Sequence, residues 1–571
     1  MNLPNVAQYG LFLLVMTLLV KPLGGYMARV FTGQKTVLDP LCVPVERVIY
    51  RLAGIDATQE MNARQYGFAF VLFGLVGTLV LYAILRLQVF LPWYDPVYLT
   101  TPITPDLAMN VAISFSTTTT WQAYAGETTM SYFSQVVGLT VQGFLAGAAG
   151  LAVGIAFIRG FARERTSTLG NFWVDLVRAL LWVLLPASVL VSIALIWQGV
   201  PMNFTPYTLA TTVEGGSQII AQGPVAILKS IQNLGTNGGG FFNVNSAHPY
   251  ENPTPLANLL EMLSIVVLPA ALTYTFGRMV RRPRQGWLLF GVMAFLFVMG
   301  LGLLDWAERS GNPELTPYVA TGQPMGNMEG KEVRFGIGGS VLTAVTTSNT
   351  ATGSTNSMHD SYTPLGGAVP LVNMLLGEMI FGGLGTGMYS IIVIALLGLF
   401  VTGLMIGRTP EYLGKRIEPS EMKLLMIYTL MGPVGILALT ALAVTAGPGL
   451  AGLTTNSGPH GFTEILYAYT SSFANNGQSF AGLSANSPFY NVTTAVAMVL
   501  GRFGLAIPAL ALAGRFAQQG RRPMDAGELP TDSLLFASVI IGTALIVVAL
   551  TYLPALALGP IIEHLRLLTS G

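Results

Sequence analysis

Charge is scarce in this chain. Asp, Glu, Lys and Arg supply 10% of 571 residues against 52% hydrophobic ones, and mean hydropathy is +0.60. An ordinary soluble domain does not reach that balance, and a net charge of +1 points to no nucleic-acid partner. There is one cysteine, Cys42, which excludes an intrachain disulfide and a thiolate zinc site. No stretch is long and polar enough to house a nucleotide-binding domain. The sequence contains neither a G-x-x-x-x-G-K-[ST] loop nor a D-K-T-G phosphorylation sequence, so ATP hydrolysis by this chain is not expected. No Ser/His or Asp/Asp pair lies inside an apolar run, which argues against an intramembrane protease. The first apolar segment has no basic residue before it and no small-residue cleavage pattern after it, so it is expected to be a retained span.

What remains is a polytopic membrane protein. A bilayer core of ~30 Å takes about 20 apolar residues per helix, and ten segments qualify, at 6–30, 66–90, 130–158, 172–198, 256–279, 286–305, 373–407, 421–447, 491–516 and 533–559. With the N-terminus outside, 22 of the 28 basic residues fall on the inner side, in Lys21 to Arg64, Arg159 to Arg178, Arg278 to Arg284, Arg408 to Lys423 and Arg502 to Arg522. The six others are Arg86, Lys229, Arg309, Lys331, Arg334 and Arg566. That asymmetry sets the expected orientation.

Four tetrads rich in Thr, Asn and Gly interrupt the apolar runs: Thr117 to Thr120, Gly235 to Gly238, Thr350 to Gly353 and Ala474 to Gly477. Their last residues are 118, 115 and 124 positions apart, and the expected orientation puts all four on the external side. Each follows a half helix too short to cross the bilayer, and irregular backbone at membrane depth must line a cavity or be buried in protein. The expected fold is an all-α membrane protein of about ten transmembrane helices. Four pseudo-symmetric span–pore-loop–span repeats would surround one selectivity filter. The repeats are expected at 66–165, 166–284, 285–420 and 421–525, with peripheral segments at 1–65 and 526–571. Carbonyl and hydroxyl oxygens from four such loops would replace the hydration shell of a cation. Gly238, Gly353 and Gly477 suit a backbone that must point oxygens inward; helix C-capping is the plain alternative. Thr120 stands where the others have glycine, and is expected either to be strained or to offer a hydroxyl.

Arg502 lies near the middle of the ninth apolar run, where a buried cation is costly and usually functional. It would form a positive barrier below the filter, unless it snorkels or pairs with a carboxylate. The seventh run is broken by Gly382-Gly383-Leu384-Gly385-Thr386-Gly387, which reads either as an unwound gate at Gly383 and Gly385 or as a packing kink. Glu378 is the nearest carboxylate, placed to attract the cation or to partner Arg502. Asp106, Glu127, Glu251, Asp360 and Glu464 flank the tetrads, either as an anionic vestibule or as helix caps. His248 and His359 lack a third ligand and are expected to serve structural hydrogen bonds. The glycine pairs Gly143/Gly147 and Gly150/Gly154 in the third run are expected to allow close helix packing.

The run Gly235 to Thr254, which reads G-T-N-G-G-G-F-F-N-x-N-S-x-H-P-x-E-N-P-T, together with N-S-M-H-D-S from Asn356 and A-N-N-G from Ala474, closely resembles the potassium-binding subunit (KdpA-type) of the bacterial Kdp potassium-transporting P-type ATPase. The resemblance covers the whole chain and extends to the superfamily of potassium transporters. It implies a filter made of Thr118, Thr119 and Thr120, of Thr236, Asn237 and Gly238, of Ala351, Thr352 and Gly353, and of Asn475, Asn476 and Gly477. It also implies that Gln122 lies near the ion path, and that Gly383, Gly385, Glu378 and Arg502 belong to that path or its gate. The family often has T-N-T-N where this chain has Thr117 to Thr120. By resemblance the chain is a non-catalytic, potassium-binding subunit of the bacterial inner membrane, with no cofactor beyond potassium. Its expected partners are a P-type ATPase catalytic subunit, small accessory membrane subunits and the lipid bilayer. A free-standing potassium channel or ion-coupled symporter of the same superfamily is the alternative.

Overall fold

The computed structural model describes residues 3–311, 326–407, 410–521 and 530–570. Arg408 and Arg522 therefore lie outside the described residues. Among those described, ten helices are long and apolar enough to span a membrane, and eight of them match the sequence-based segments to within four residues at either end. The tenth runs further, Leu534–Thr569, past a kink at Gly559.

The seventh differs most. It begins at Thr386, not at 373, because the glycine run and its surroundings leave helical geometry. Gly377, Glu378, Phe381 and Gly385 all have positive φ, so an apolar helix, Pro364–Leu375, ends before the unwound segment and a second one starts after it. Two glycine-assisted reversals within nine residues cannot be absorbed by a continuous helix.

Burial separates the spans into inner and outer sets. The spans that follow the four tetrads (Pro255–Met279, Thr386–Met405 and Pro488–Gln518, with Ser134–Ala162 after the first) are 83, 78, 61 and 56% buried in chain order; those that precede them are 28, 33, 50 and 22% buried. Spans one and ten, at 33 and 22%, belong with the outer set. The inner spans need small residues to approach the axis, and the third supplies them as a glycine stripe.

Four half helices enter from one side: Pro105–Ser116, Val225–Leu234, Gly336–Asn349 and Gly458–Phe473. The first shows how the sequence starts such an element. Thr104 accepts a hydrogen bond from the Leu107 amide, Pro105 occupies the first turn, and Asp106 adds a negative charge at the helix N-terminus. Each half helix stops at its tetrad.

Candidate functional site

The four tetrads share one backbone construction. The third residue of each donates its amide to the carbonyl five residues back, on its own half helix: Thr119 to Ser114, Asn237 to Gln232, Thr352 to Thr347 and Asn476 to Ser471, at 2.9, 2.9, 3.1 and 2.9 Å. The second residue of each, Thr118, Thr236, Ala351 or Asn475, has φ between +48° and +63°. Three of the fourth residues, Thr120, Gly238 and Gly477, also have positive φ. Non-glycine residues rarely adopt this conformation, and its recurrence at equivalent places marks strain held by the surrounding structure.

These turns close into a ring. A Cβ on Gly238 would lie 2.6 Å from Cα of Gly353; one on Gly353 would lie 2.7 Å from C of Gly477; one on Gly477 would lie 2.9 Å from C of Thr119. The last seam is made differently, by the Thr120 hydroxyl donating to the carbonyl oxygen of Asn237. Thr120 has the positive φ of a strained residue, +48°, and its hydroxyl is spent on a neighbouring loop's carbonyl. Gly353 departs from expectation in having no positive φ; it is small because Gly477 and Asn476 press against it.

The tetrad asparagines use their amides to stitch the frame, and Asn475 also bridges to the first tetrad. Asn237 Nδ2 donates to Gly143 O (2.8 Å), Asn475 Nδ2 to Thr119 Oγ1 and Met498 O (both 2.9 Å), and Asn476 Nδ2 to Thr347 O (2.9 Å).

Below the ring, the second residues meet the elements singled out in the sequence. Arg502, at the middle of a 31-residue helix and 6% exposed, donates from Nη1 to Thr118 Oγ1 (3.0 Å) and from Nη2 to Ala146 O (2.9 Å). It neither snorkels nor forms an ion pair with any described carboxylate, Glu378 included. The unwound segment hangs beside it, with the Leu384 amide donating to Thr236 Oγ1 at 2.7 Å. A Cβ on Gly383 would stand 3.5 Å from Cβ of Ala351 and 3.3 Å from a carboxylate oxygen of Glu378. The glycine stripe of the third span accommodates this layer: Gly143 and Gly147 face Asn237 and Gly235, Gly150 faces Leu384 and Arg502, and Gly154 faces Gly385.

Above the ring lies a cavity of about 870 Å³ whose lining includes Thr120, Gly239, Gly353 and Gly477, one residue from each turn or its edge. Gln122 stands in it, accepting from the Gly240 amide (2.8 Å) and donating to Gly240 O (3.0 Å) and to Tyr124 Oη (2.8 Å). It thereby ties the first turn to the second. Of the five flanking carboxylates only Glu464 lines this cavity, joined by Glu332 and Lys331. The others fasten loops. Asp106 accepts from Asn491 (2.8 Å), which helps hold its carboxyl below the usual range. Glu127 accepts from the Asn243 amide (2.9 Å), with burial pushing it up. His248 and His359 are structural, stacked on Phe242 and bonded to Tyr467 respectively, and burial holds their pKa values down at about 4 and about 3.

One part of the site escaped the sequence reading. Lys229, on the second half helix, is 1% exposed and reaches across two turns: its Nζ donates to Ser354 Oγ (2.6 Å) and Gly239 O (3.4 Å), and pairs with Glu251 (3.1 Å) and Glu261 (3.6 Å). Glu251 in turn accepts from the Phe242 amide at 2.8 Å. The available signal was a lone lysine in an apolar half helix, ten residues before Gly239.

With this geometry in view, the likeness to other proteins is extensive. Residues 10–565 match the family described as potassium-transporting ATPase A subunit, KdpA. A protein named potassium-transporting ATPase potassium-binding subunit from Methylobacterium nodulans is 54% identical over 565 residues, which cover 99% of this chain and 98% of the relative. Proteins of the same name from Methylorubrum extorquens and Granulibacter bethesdensis are 53% and 51% identical, covering 99% and 100% of this chain and 98% and 99% of their own. Among solved structures, the potassium transporter TrkH from Vibrio parahaemolyticus superposes with a TM-score of 0.50 over 78% of this chain and 82% of its own; at 14% identity it shares the fold alone. This chain belongs to the potassium-transporting ATPase A subunit family.

Proposed function

We propose that the four turns form a single-ion filter that selects external potassium, and that this chain passes the ion to a partner P-type ATPase subunit for ATP-driven uptake. The observation that carries the reading is the closed ring of four strained turns at the floor of one cavity. Thr118 to Thr120, Thr236 to Gly238, Ala351 to Gly353 and Asn475 to Gly477 supply it. A rigid ring of uncharged oxygens offers a monovalent cation replacement ligands without the binding strength that would prevent release.

Beneath the filter, Arg502 is the electrostatic barrier that prevents simple flow through to the cytoplasm, and the segment around Gly383 and Gly385 is the gate. Glu378, buried beside that segment, compensates the ion's charge once it has left the ring. Gln122 guards the entrance. In this reading the repeats run 66–165, 166–284, 285–420 and 421–525, with the N-terminus and the filter on the external face of the bacterial inner membrane. Small accessory membrane subunits complete the complex, potassium is the only ion or cofactor required, and ATP is hydrolysed by the partner.

The test is to purify the complex through a tag on this chain. A phosphorylatable ATPase subunit should co-purify, and ATPase activity should rise with potassium, less with rubidium and least with sodium. Robust passive potassium flux from the lone reconstituted chain would favour a free-standing channel or symporter instead.

A further inference from the structure

Apart from the ring, a second cluster of donor atoms lies where the loop after the third turn meets the start of the fourth half helix. Asp360, His460 and Glu464 each offer one ligand atom, and these atoms lie within 4.8 Å of one another. His460 Nε2 is 2.7 Å from Asp360 Oδ1, while its Nδ1 is 2.7 Å from Glu563 Oε1 on the last helix. Each ring nitrogen thus donates to a carboxylate, and a cation bound here would take the place of the Nε2 proton while Glu563 holds the ring through Nδ1.

One further feature points to a ligand. Glu464 is fully buried, yet while its Oε1 accepts from Asn456 (2.8 Å) and Thr455 (3.4 Å), its Oε2 has no hydrogen-bond partner. A buried carboxylate oxygen left without a donor or a cation is costly. Gly482 packs its backbone directly on these carboxylates, where a Cβ would lie 2.7 Å from Asp360 Oδ1 and 2.6 Å from Cδ of Glu464, so no side chain fits there.

We propose that Asp360, His460 and Glu464 bind one divalent cation of the zinc class, with Glu563 orienting His460. One imidazole nitrogen and two carboxylates match zinc, which takes mixed nitrogen and oxygen donors in a four-coordinate shell; magnesium and calcium demand more oxygens. Three protein ligands leave a position for water, and Glu464 lines the cavity above the ring. A bound ion would staple the loop carrying Asp360 to the half helix that ends in the fourth turn.

The test uses the full-length chain, purified with whatever subunits accompany it and stripped with chelator, and titrated with zinc against a fluorescent zinc indicator. One zinc per chain is expected, unaffected by excess magnesium. Asp360→Asn and Glu464→Gln should each weaken it at least tenfold and His460→Ala further. X-ray absorption at the zinc edge of the wild-type protein should show one imidazole and oxygen donors at about 2.0–2.2 Å. Zinc bound equally well by His460→Ala, a wild-type shell without imidazole, or no stoichiometric zinc would overturn the proposal and leave the cluster as an ion-paired structural tie.

Discussion

Replacing Gly238 with alanine isolates the ring closure from every other property of the chain. Two costs arise. The residue has φ of +77°, and holding an L-residue there costs about 1–2 kcal/mol. The added Cβ also lands 2.6 Å from Cα of Gly353, where carbon atoms settle at about 3.5–4.0 Å, so the third turn must retreat by roughly 1 Å. Binding sites tolerate displacements of about 0.5 Å. The half-saturating potassium concentration for ATPase stimulation is therefore expected to rise at least about tenfold, equivalent to about 1.4 kcal/mol. Gly238→Asp, which adds a charge, should be worse. The control is Gly33→Ala, at φ of +71° with nothing within 4 Å of the new Cβ. It carries the conformational cost without the clash, and should lower thermal stability slightly while leaving the potassium dependence unchanged. If Gly238→Ala retains wild-type half-saturation and discrimination against sodium, the ring is not the selecting element.

Other outcomes follow from the surroundings of the ring. Arg502→Gln should let potassium leak passively, read as ATP-independent rubidium flux in vesicles, because no other described cation lies against the first turn from below. Lys229→Met leaves Glu251 and Glu261 buried without their counter-ion and should cost about 3–5 kcal/mol in unfolding assays; adding Glu251→Gln should recover part of that. His248 is held neutral in the fold, chiefly by burial, with its pKa lowered to about 4, against about 6.5 when unfolded. Its contribution is unchanged above pH ~6.5, and stability falls as pH drops from there towards about 4, by up to about 2 kcal/mol at pH 5. His248→Gln should flatten that part of the stability profile, whatever it does to stability at neutral pH.

The sequence exposed whatever has a local or periodic signature. Apolar runs of span length, the evenly spaced tetrads and a lone arginine in the ninth run all depend on neighbours within a few turns of helix. The seventh span shows the limit: its glycines announced a break, but the helix start at Thr386 depended on φ reversals at Glu378 and Phe381, residues with no intrinsic preference for them. The Lys229 network joins residues up to 125 positions apart, and nothing in their spacing signals contact. The same holds for the vestibule. For Asp106 and Glu127 the sequence left open ion-attracting charge or helix cap, because the donors that occupy them, Asn491 and the Asn243 amide, sit 385 and 116 residues away.

The seam between Thr120 and Asn237 separates this ring from one built of identical subunits. In a homotetramer any substitution is repeated in every quadrant, so its effect arrives at full dose. Here one polypeptide supplies all four corners, and they are closed differently: one by the Thr120 hydroxyl, another with help from the Asn475 amide on Thr119, the rest by close backbone packing. A substitution can therefore alter one quarter of the ring and leave the other three as they were.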